Sequence, residues 1–85
     1  MTLQQLKYVI TIADCGSMNE AAKRLYLSQP SLSDTVMSLE EEIGIEIFIR
    51  TNRGIRTTVE GEEFLSYARQ VVEQYQLLDD KYISR

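Results

Sequence analysis

The side chains best suited to chemistry occupy one polar stretch, residues 28–37, which carries hydroxyl, amide and carboxylate groups. The amide of Gln29 can form paired hydrogen bonds with adenine, and the hydroxyl of Ser33 can contact a base or a phosphate. Hydroxyls and free backbone N–H groups at the start of a helix can also hold a phosphate. This pattern predicts nucleic-acid contacts from Ser28, Gln29, Pro30, Ser31, Ser33, Asp34 and Met37.

Three arginines lie around a turn further along the chain, at Arg50, Arg53 and Arg56. An arginine at the tip of a hairpin can enter a narrow minor groove, where the electrostatic potential is negative. We therefore expect Arg53 to contact DNA, whereas Arg50 is either a DNA contact or a member of a structural ion pair. Lys23 and Arg24 could touch the phosphate backbone.

Other kinds of site lack the residues that they need. The sequence has no histidine, the commonest metal ligand and general base, which excludes a Ser/Cys–His mechanism and argues against zinc. The single cysteine, Cys15, falls on an apolar helical face and is interpreted as a small buried thiol rather than a redox sensor. Glu40, Glu41 and Glu42 are consecutive on a predicted helix, so they point apart and are expected to form a solvated helix end. We expect no enzyme, metal or cofactor.

Length and charge restrict the class of protein. Eighty-five residues allow one small domain, whose core would be thin without a partner subunit. The chain has neither a membrane-length apolar run nor a signal peptide at its start, so we expect a cytoplasmic protein. Its net charge of −4 is unusual for a DNA binder, although much of the acidity lies in residues 59–85. The acidic balance leaves open an alternative, a helix-turn-helix module that binds protein and has only weak DNA affinity.

Apolar spacing and capping residues predict the elements that position these groups. Residues 3–15 form an apolar helical stripe that stops at Gly16, and Ser17 with Glu20 predicts a capping box for a second helix. Tyr26 and Leu27 make the turn, and Ser28 is an N-cap for a third helix. The inner face of that helix is predicted to be Leu32, Val36, Leu39 and Ile43.

The remaining residues predict a hairpin and a long fourth helix. Residues 45–49 alternate in a β-like run, and residues 55–57 can return as a second strand, which makes a small wing. A fourth helix starts near Thr57 or Thr58, with a possible Thr57–Glu60 capping box. From Gly61 a heptad seam implies a partner helix. The predicted dimer contacts are Phe64, Ala68, Val71, Tyr75, Leu78 and Tyr82.

The runs AAKRL, SQPSLS, LEEEIG and IFIR, in this order and spacing, resemble the LysR-type transcriptional regulators over about the first 68 residues. The resemblance implies a mostly α fold, with a winged helix-turn-helix of three helices and a two-stranded wing in residues 1–58. It implies a dimerising linker helix in residues 59–85, and an effector-binding domain, with its small-molecule inducer, that is absent from this chain. The expected partners are double-stranded DNA with an interrupted palindrome and a second copy of the chain.

The same resemblance assigns roles to individual residues. It implies that the third helix enters the major groove, with Gln29, Pro30, Ser33 and residue 34 facing bases or phosphates, and that Arg53 is the wing arginine. Asp34 departs from the family pattern, in which this position usually carries Arg, Lys or Gln. An aspartate can accept a hydrogen bond from cytosine N4 but repels phosphate. Asp34 therefore either alters the base preference or weakens binding.

Overall fold

The computed structural model describes residues 1–84 and contains four helices and one hairpin. The elements, in chain order, are α1 (Leu3–Cys15), α2 (Met18–Leu25), α3 (Gln29–Ile43), β1 (Phe48–Thr51), β2 (Gly54–Thr57) and α4 (Val59–Tyr82). The two strands pair antiparallel, with Phe48 opposite Thr57 and Thr51 opposite Gly54. The predicted architecture of three helices, a two-stranded wing and a long fourth helix is confirmed. Within the described residues, no helix is both long and apolar enough to cross a membrane.

Every helix begins at a hydroxyl side chain that accepts a hydrogen bond from a backbone N–H of the first turn, at Thr2, Ser17, Ser28 and Thr58. Only half of the capping box predicted for α2 forms. The Ser17 hydroxyl accepts from the Glu20 N–H at 3.2 Å, but the Glu20 carboxylate lies 3.8 Å from Lys23 Nζ. The cap of α4 is Thr58, which accepts from Gly61 N at 2.8 Å, so the predicted Thr57–Glu60 pairing is wrong by one residue.

The core lies where the first three helices meet the segment before the hairpin. The predicted inner face of α3 is confirmed at Leu32, Val36 and Leu39, while Ile43 is half-buried. On α1 the buried positions are Leu6, Val9 and Ile12, whereas the rest of the predicted stripe is only half-buried. Two alanines of α2 are also buried, which lets the neighbouring helices approach closely. Cys15 is only partly buried, and it packs against this cluster.

The strand predicted over residues 45–49 starts later in the chain than expected, because Ile47 does not pair with the opposite strand. Its side chain is fully buried, and its backbone pairs with α3 and α4 rather than with the opposite strand. The Thr58 N–H donates to the Ile47 carbonyl at 3.0 Å. Regular pairing therefore starts only at Phe48 and continues to Thr51.

The first half of α4 packs on α1, and the two helices run antiparallel. Arg69 Nη2 donates to Asp14 Oδ1 at 2.7 Å, and Lys7 Nζ lies 5.3 Å from the centre of the Tyr75 ring. The hydrogen bond to Asp14 is the main reason that the pKa of Arg69 is raised above its ordinary value. Arg69 precedes Tyr75 along α4, whereas its partner Asp14 follows Lys7 along α1, so these two contacts show that the helices run in opposite directions.

Candidate nucleic-acid interface

The polar face of α3 points away from the core. Because Leu32, Val36 and Leu39 face inward, the opposite side of the helix is left to solvent. The structure places six of the seven polar-stretch candidates at exposed positions and one, Ser33, at a half-buried position. The exposed six are Ser28, Gln29, Pro30, Ser31, Asp34 and Met37. The major groove of DNA admits an α-helix, so an exposed helix face of this kind can enter it. The individual contacts stay predictions.

The start of α3 offers fewer free donors than its two serines suggest. The Ser28 hydroxyl accepts from the Ser31 N–H at 3.2 Å and donates to Ser31 Oγ at 2.8 Å. Pro30 has no N–H, and the Leu32 N–H already donates to the Ser28 carbonyl at 3.1 Å. The Ser31 hydroxyl and the Gln29 N–H are among the donors that the described residues leave for a phosphate.

Arg53 lies in the turn of the hairpin with an exposed side chain. The turn is held by Thr51, whose hydroxyl accepts from the Arg53 N–H at 3.2 Å and donates to the Gly54 carbonyl at 3.1 Å. Among residues 1–84, no hydrogen bond or ion pair occupies the Arg53 guanidinium. An arginine presented in this way is available to an anionic partner.

The hairpin also rests on the end of α1. The Ile55 N–H donates to the Gly16 carbonyl at 3.3 Å, and a Cβ at Gly54 would lie 2.8 Å from the same oxygen. Gly54 has a φ of 123°, which side-chain-bearing residues rarely adopt. Glycine is therefore required at this position for two separate reasons.

The sequence left Arg50 as either a DNA contact or a member of a structural ion pair, and the structure shows which residue it contacts. Its guanidinium donates to the hydroxyl of Ser33. This bond joins the hairpin to the exposed face of α3. The ion pairs among the described residues do not include Arg50. The start of α3 and the hairpin also share a surface cleft lined in part by Gln29, Arg50 and Gly54.

Glu40 is a functional candidate that the sequence reasoning missed. The prediction of a solvated Glu40 is wrong: its Oε2 accepts from the Ile47 N–H at 2.6 Å and from the Phe48 N–H at 3.2 Å. The prediction failed because a pattern of side-chain types does not show which backbone N–H groups will lie near a carboxylate. The available signal was the seven-residue spacing from Ser33, which puts both side chains on one face of α3. Glu41 and Glu42 are exposed, and Glu42 lies 2.6 Å from the Met1 ammonium.

The basic residues at the end of α2 are exposed, as a backbone contact would require. Lys23 and Arg24 both lie in the last turn of the helix. The following residue, Tyr26, closes the helix in the left-handed conformation, with a φ of 56°, and its side chain is 95% exposed. Nothing in the described residues assigns these three side chains to a partner beyond the Glu20–Lys23 pair.

The long helix α4 carries two apolar stripes rather than one. The inner stripe is Gly61, Leu65 and Ala68, which are buried against the chain's own core. Ala68 is only 3% exposed and leaves almost no surface for a partner, while Phe64 is half-buried against the core. The predicted seam is open further along the helix. There the exposed fraction is 50% for Val71, 44% for Tyr75, 58% for Leu78 and 53% for Tyr82.

Residues 3–62 match a family model described as bacterial regulatory helix-turn-helix protein, lysR family. The chain is 42% identical over 72 residues to the HTH-type transcriptional regulator TfdT of Cupriavidus pinatubonensis (strain JMP 134 / LMG 1197), covering 85% of this chain and 32% of TfdT. It is also 42% identical over 73 residues to the regulator TcbR of Pseudomonas sp. (strain P51), covering 86% of this chain and 25% of TcbR. The chain thus spans a third or less of these curated relatives.

Solved structures of similar chains include complexes with DNA. The CbnR_DBD–DNA complex matches with a TM-score of 0.89 at 40% identity, covering 95% of this chain and 93% of that chain. The BenM_DBD/catB site 1 DNA complex matches with a TM-score of 0.91 at 33% identity, covering 95% and 91%. The similarity therefore extends over the helices, the hairpin and nearly all of α4.

Proposed function

Since the chain belongs to the LysR family of bacterial regulatory helix-turn-helix proteins, we propose that it binds specific sequences of double-stranded DNA as a homodimer and thereby regulates transcription. The helix α3 enters the major groove and the hairpin β1–β2 lies at the minor groove. The observation that carries this proposal is the hydrogen bond from Arg50 to Ser33, which joins the hairpin to the exposed face of α3. The DNA complexes of CbnR_DBD and BenM_DBD, which share this fold, support it.

The proposed assembly follows from the open stripe of α4. A second copy covers the exposed Val71, Tyr75, Leu78 and Tyr82, which places two α3 helices on one duplex. A two-fold dimer favours an interrupted palindrome, with half-sites about 34 Å apart or a multiple of one helical turn. We place the response to a small-molecule inducer in the part of such regulators that this chain does not span. The site of action is the bacterial cytoplasm or nucleoid, where the DNA lies.

The test is selection from random duplexes, followed by binding measurements with a Gln29→Ala variant. Gln29→Ala is expected to weaken binding to the selected site by about 1–3 kcal/mol and to relax the preference at one base position, because paired hydrogen bonds to a base are lost. Fluorescence anisotropy measures the affinity, and a repeat selection measures the preference. The matched control is Gln4→Ala, the same change at an exposed position of α1.

Failure to enrich any two-fold symmetric sequence would contradict the proposal. The acidic surface gives one specific alternative, a protein-binding module on the same scaffold, because Asp34, Glu41 and Glu46 are all exposed. That alternative requires a protein partner that stays bound to an Arg53→Ala variant while DNA affinity is negligible in the parent chain.

Asp34 provides a second test, because its side chain is exposed on the face of α3 that we assign to the groove. We expect Asp34→Arg to change the preferred base at one position of the selected site, with discrimination of about 1–3 kcal/mol, because a carboxylate and a guanidinium pair with different base edges. Selection with the variant measures the change. The matched control, Glu41→Arg, makes the same charge change at another exposed position of α3 and is expected to raise affinity for all sequences equally. An equal gain on all sequences from Asp34→Arg as well would show that Asp34 reads no base.

A further inference from the structure

We infer that Glu40 is a positioning residue for DNA binding, which holds the hairpin at a fixed place along α3 so that Arg53 and Gln29 reach the duplex together. The inference rests on the proposed function, and it concerns a side chain that faces the hairpin rather than DNA. Its basis is the pair of hydrogen bonds from the Ile47 and Phe48 N–H groups to one carboxylate oxygen, at 2.6 and 3.2 Å.

These bonds act at the point where the chain enters the hairpin. Phe48 is the first residue of β1, and the N–H groups of Ile47 and Phe48 are successive donors just outside and just inside the strand. A carboxylate that accepts two backbone N–H groups forms charge-assisted bonds, which are stronger than neutral ones. Glu40 therefore determines where β1 starts relative to α3.

Ser33 and Arg50 form a second attachment of the hairpin to the same helix. Ser33 and Glu40 are seven residues apart, which is about two helical turns or roughly 10 Å along the axis. Two attachments at that separation prevent the hairpin from both sliding along α3 and pivoting on it. A surface cleft of about 330 Å³ between α3 and the hairpin is lined in part by these two residues together with Met37, Phe48 and Arg50.

The charge of Glu40 makes a purely electrostatic role distinguishable from a positioning role. A carboxylate on an element next to DNA repels phosphate, so removing an acid there should raise affinity or leave it unchanged. Glu41 is exposed and tests that electrostatic effect alone. A loss of affinity at position 40 that is absent at position 41 can arise only from the hydrogen bonds or the packing of Glu40.

The experiment compares Glu40→Leu and Glu40→Gln with Glu41→Leu and Glu41→Gln on the selected DNA site. All four variants change the charge equally, but only Glu40→Leu removes the acceptor from the hairpin. We expect Glu40→Leu to lose about tenfold in affinity, the scale of one charge-assisted contact. Glu40→Gln keeps an acceptor oxygen but loses the charge, so it is expected to lose less affinity than Glu40→Leu. Both Glu41 variants are expected to stay close to the parent chain. Equal affinity for Glu40→Leu and Glu41→Leu would overturn the inference.

Amide hydrogen exchange in the absence of DNA tests the geometry separately. The Ile47 and Phe48 amides are expected to be protected in the parent and in Glu40→Gln, and to exchange faster in Glu40→Leu while the amides of α1 stay protected. Loss of protection over the whole chain would mean that Glu40→Leu is unfolded, and the comparison then rests on Glu40→Gln against Glu40→Asp, whose shorter side chain cannot reach both donors. Unchanged exchange at Ile47 and Phe48 in Glu40→Leu would overturn the inference.

A double-mutant cycle with Arg53→Ala identifies what Glu40 positions. In the Arg53→Ala background, Glu40→Leu is expected to cause little further loss of affinity, because the contact that it positions is already absent. A full additional loss would overturn the role of Glu40 in placing Arg53. If Arg53→Ala alone leaves affinity unchanged, the wing contact in the proposed function is wrong, whereas the exchange result still decides whether Glu40 holds the hairpin.

Discussion

Replacing Gly61 with alanine is expected to lower the free energy of unfolding, even though Gly61 lies in a helix where alanine is intrinsically favoured by about 1 kcal/mol. A Cβ at this position would overlap the Ile47 carbonyl oxygen and lie 2.9 Å from the carbonyl carbon. The atoms it meets are backbone, and the Ile47 carbonyl also accepts from the Thr58 N–H. Overpacking of this kind costs about 1–3 kcal/mol or more, so the packing effect outweighs the helix propensity.

Thermal and denaturant unfolding of Gly61→Ala against the parent chain measures this effect. The comparison variant is Gly44→Ala, at a glycine with a φ of 75° and no heavy atom within 4 Å of the built Cβ. That change tests backbone strain alone, at about 1–2 kcal/mol. A Gly61→Ala variant as stable as the parent would show that α4 does not approach Ile47 as closely as described.

Val71→Asp is expected to convert the proposed dimer to a monomer and to reduce affinity for a two-fold symmetric site by about 10²-fold or more. The side chain is 50% exposed in the isolated chain, so the change costs the folded monomer little. In the dimer it would bury an unpaired carboxylate against an apolar stripe. The affinity falls because a second linked half-site contributes about 10²–10⁴-fold in binding.

Sedimentation velocity gives the assembly state of Val71→Asp, and anisotropy on full and half sites gives its affinity. Gln70→Asp is the matched control, because it introduces the same charge one residue away, at an exposed position outside the stripe. We expect Gln70→Asp to remain a dimer. A Val71→Asp dimer of unchanged stability would remove the exposed stripe of α4 from the proposed interface.

Local signals predicted most of the helices, because capping and apolar spacing act within a few residues. Ser17 and Ser28 mark the starts of α2 and α3, and Leu32 and Leu39 identify the buried side of α3. The two stripes of α4 could not be separated in the same way. A spacing of three and four residues shows which residues share a face, but it does not show whether that face meets the chain's own core, as at Ala68, or another copy.

The candidate interface was predictable in its exposed face but not in its internal connections. Gln29 and Arg53 could be chosen from residue type and position alone. The bonds that organise the interface join Glu40 to backbone N–H groups and Arg50 to Ser33 across 17 residues. Such contacts depend on how the hairpin packs against α3, which no local pattern contains. The alternation around Ile47 predicted a strand for the same reason: its tertiary partners were not visible.

Ile47 also has a consequence for exchanging parts between related regulators. Its buried side chain and its backbone join α3, the hairpin and α4 through Glu40, Thr58 and Gly61. A hairpin transplanted from another protein would therefore bring its turn residues but not the residues of α3 and α4 that hold it in place. To graft such a loop successfully, a designer must transfer the carboxylate at 40 and the glycine at 61 along with it, although neither belongs to the transplanted segment.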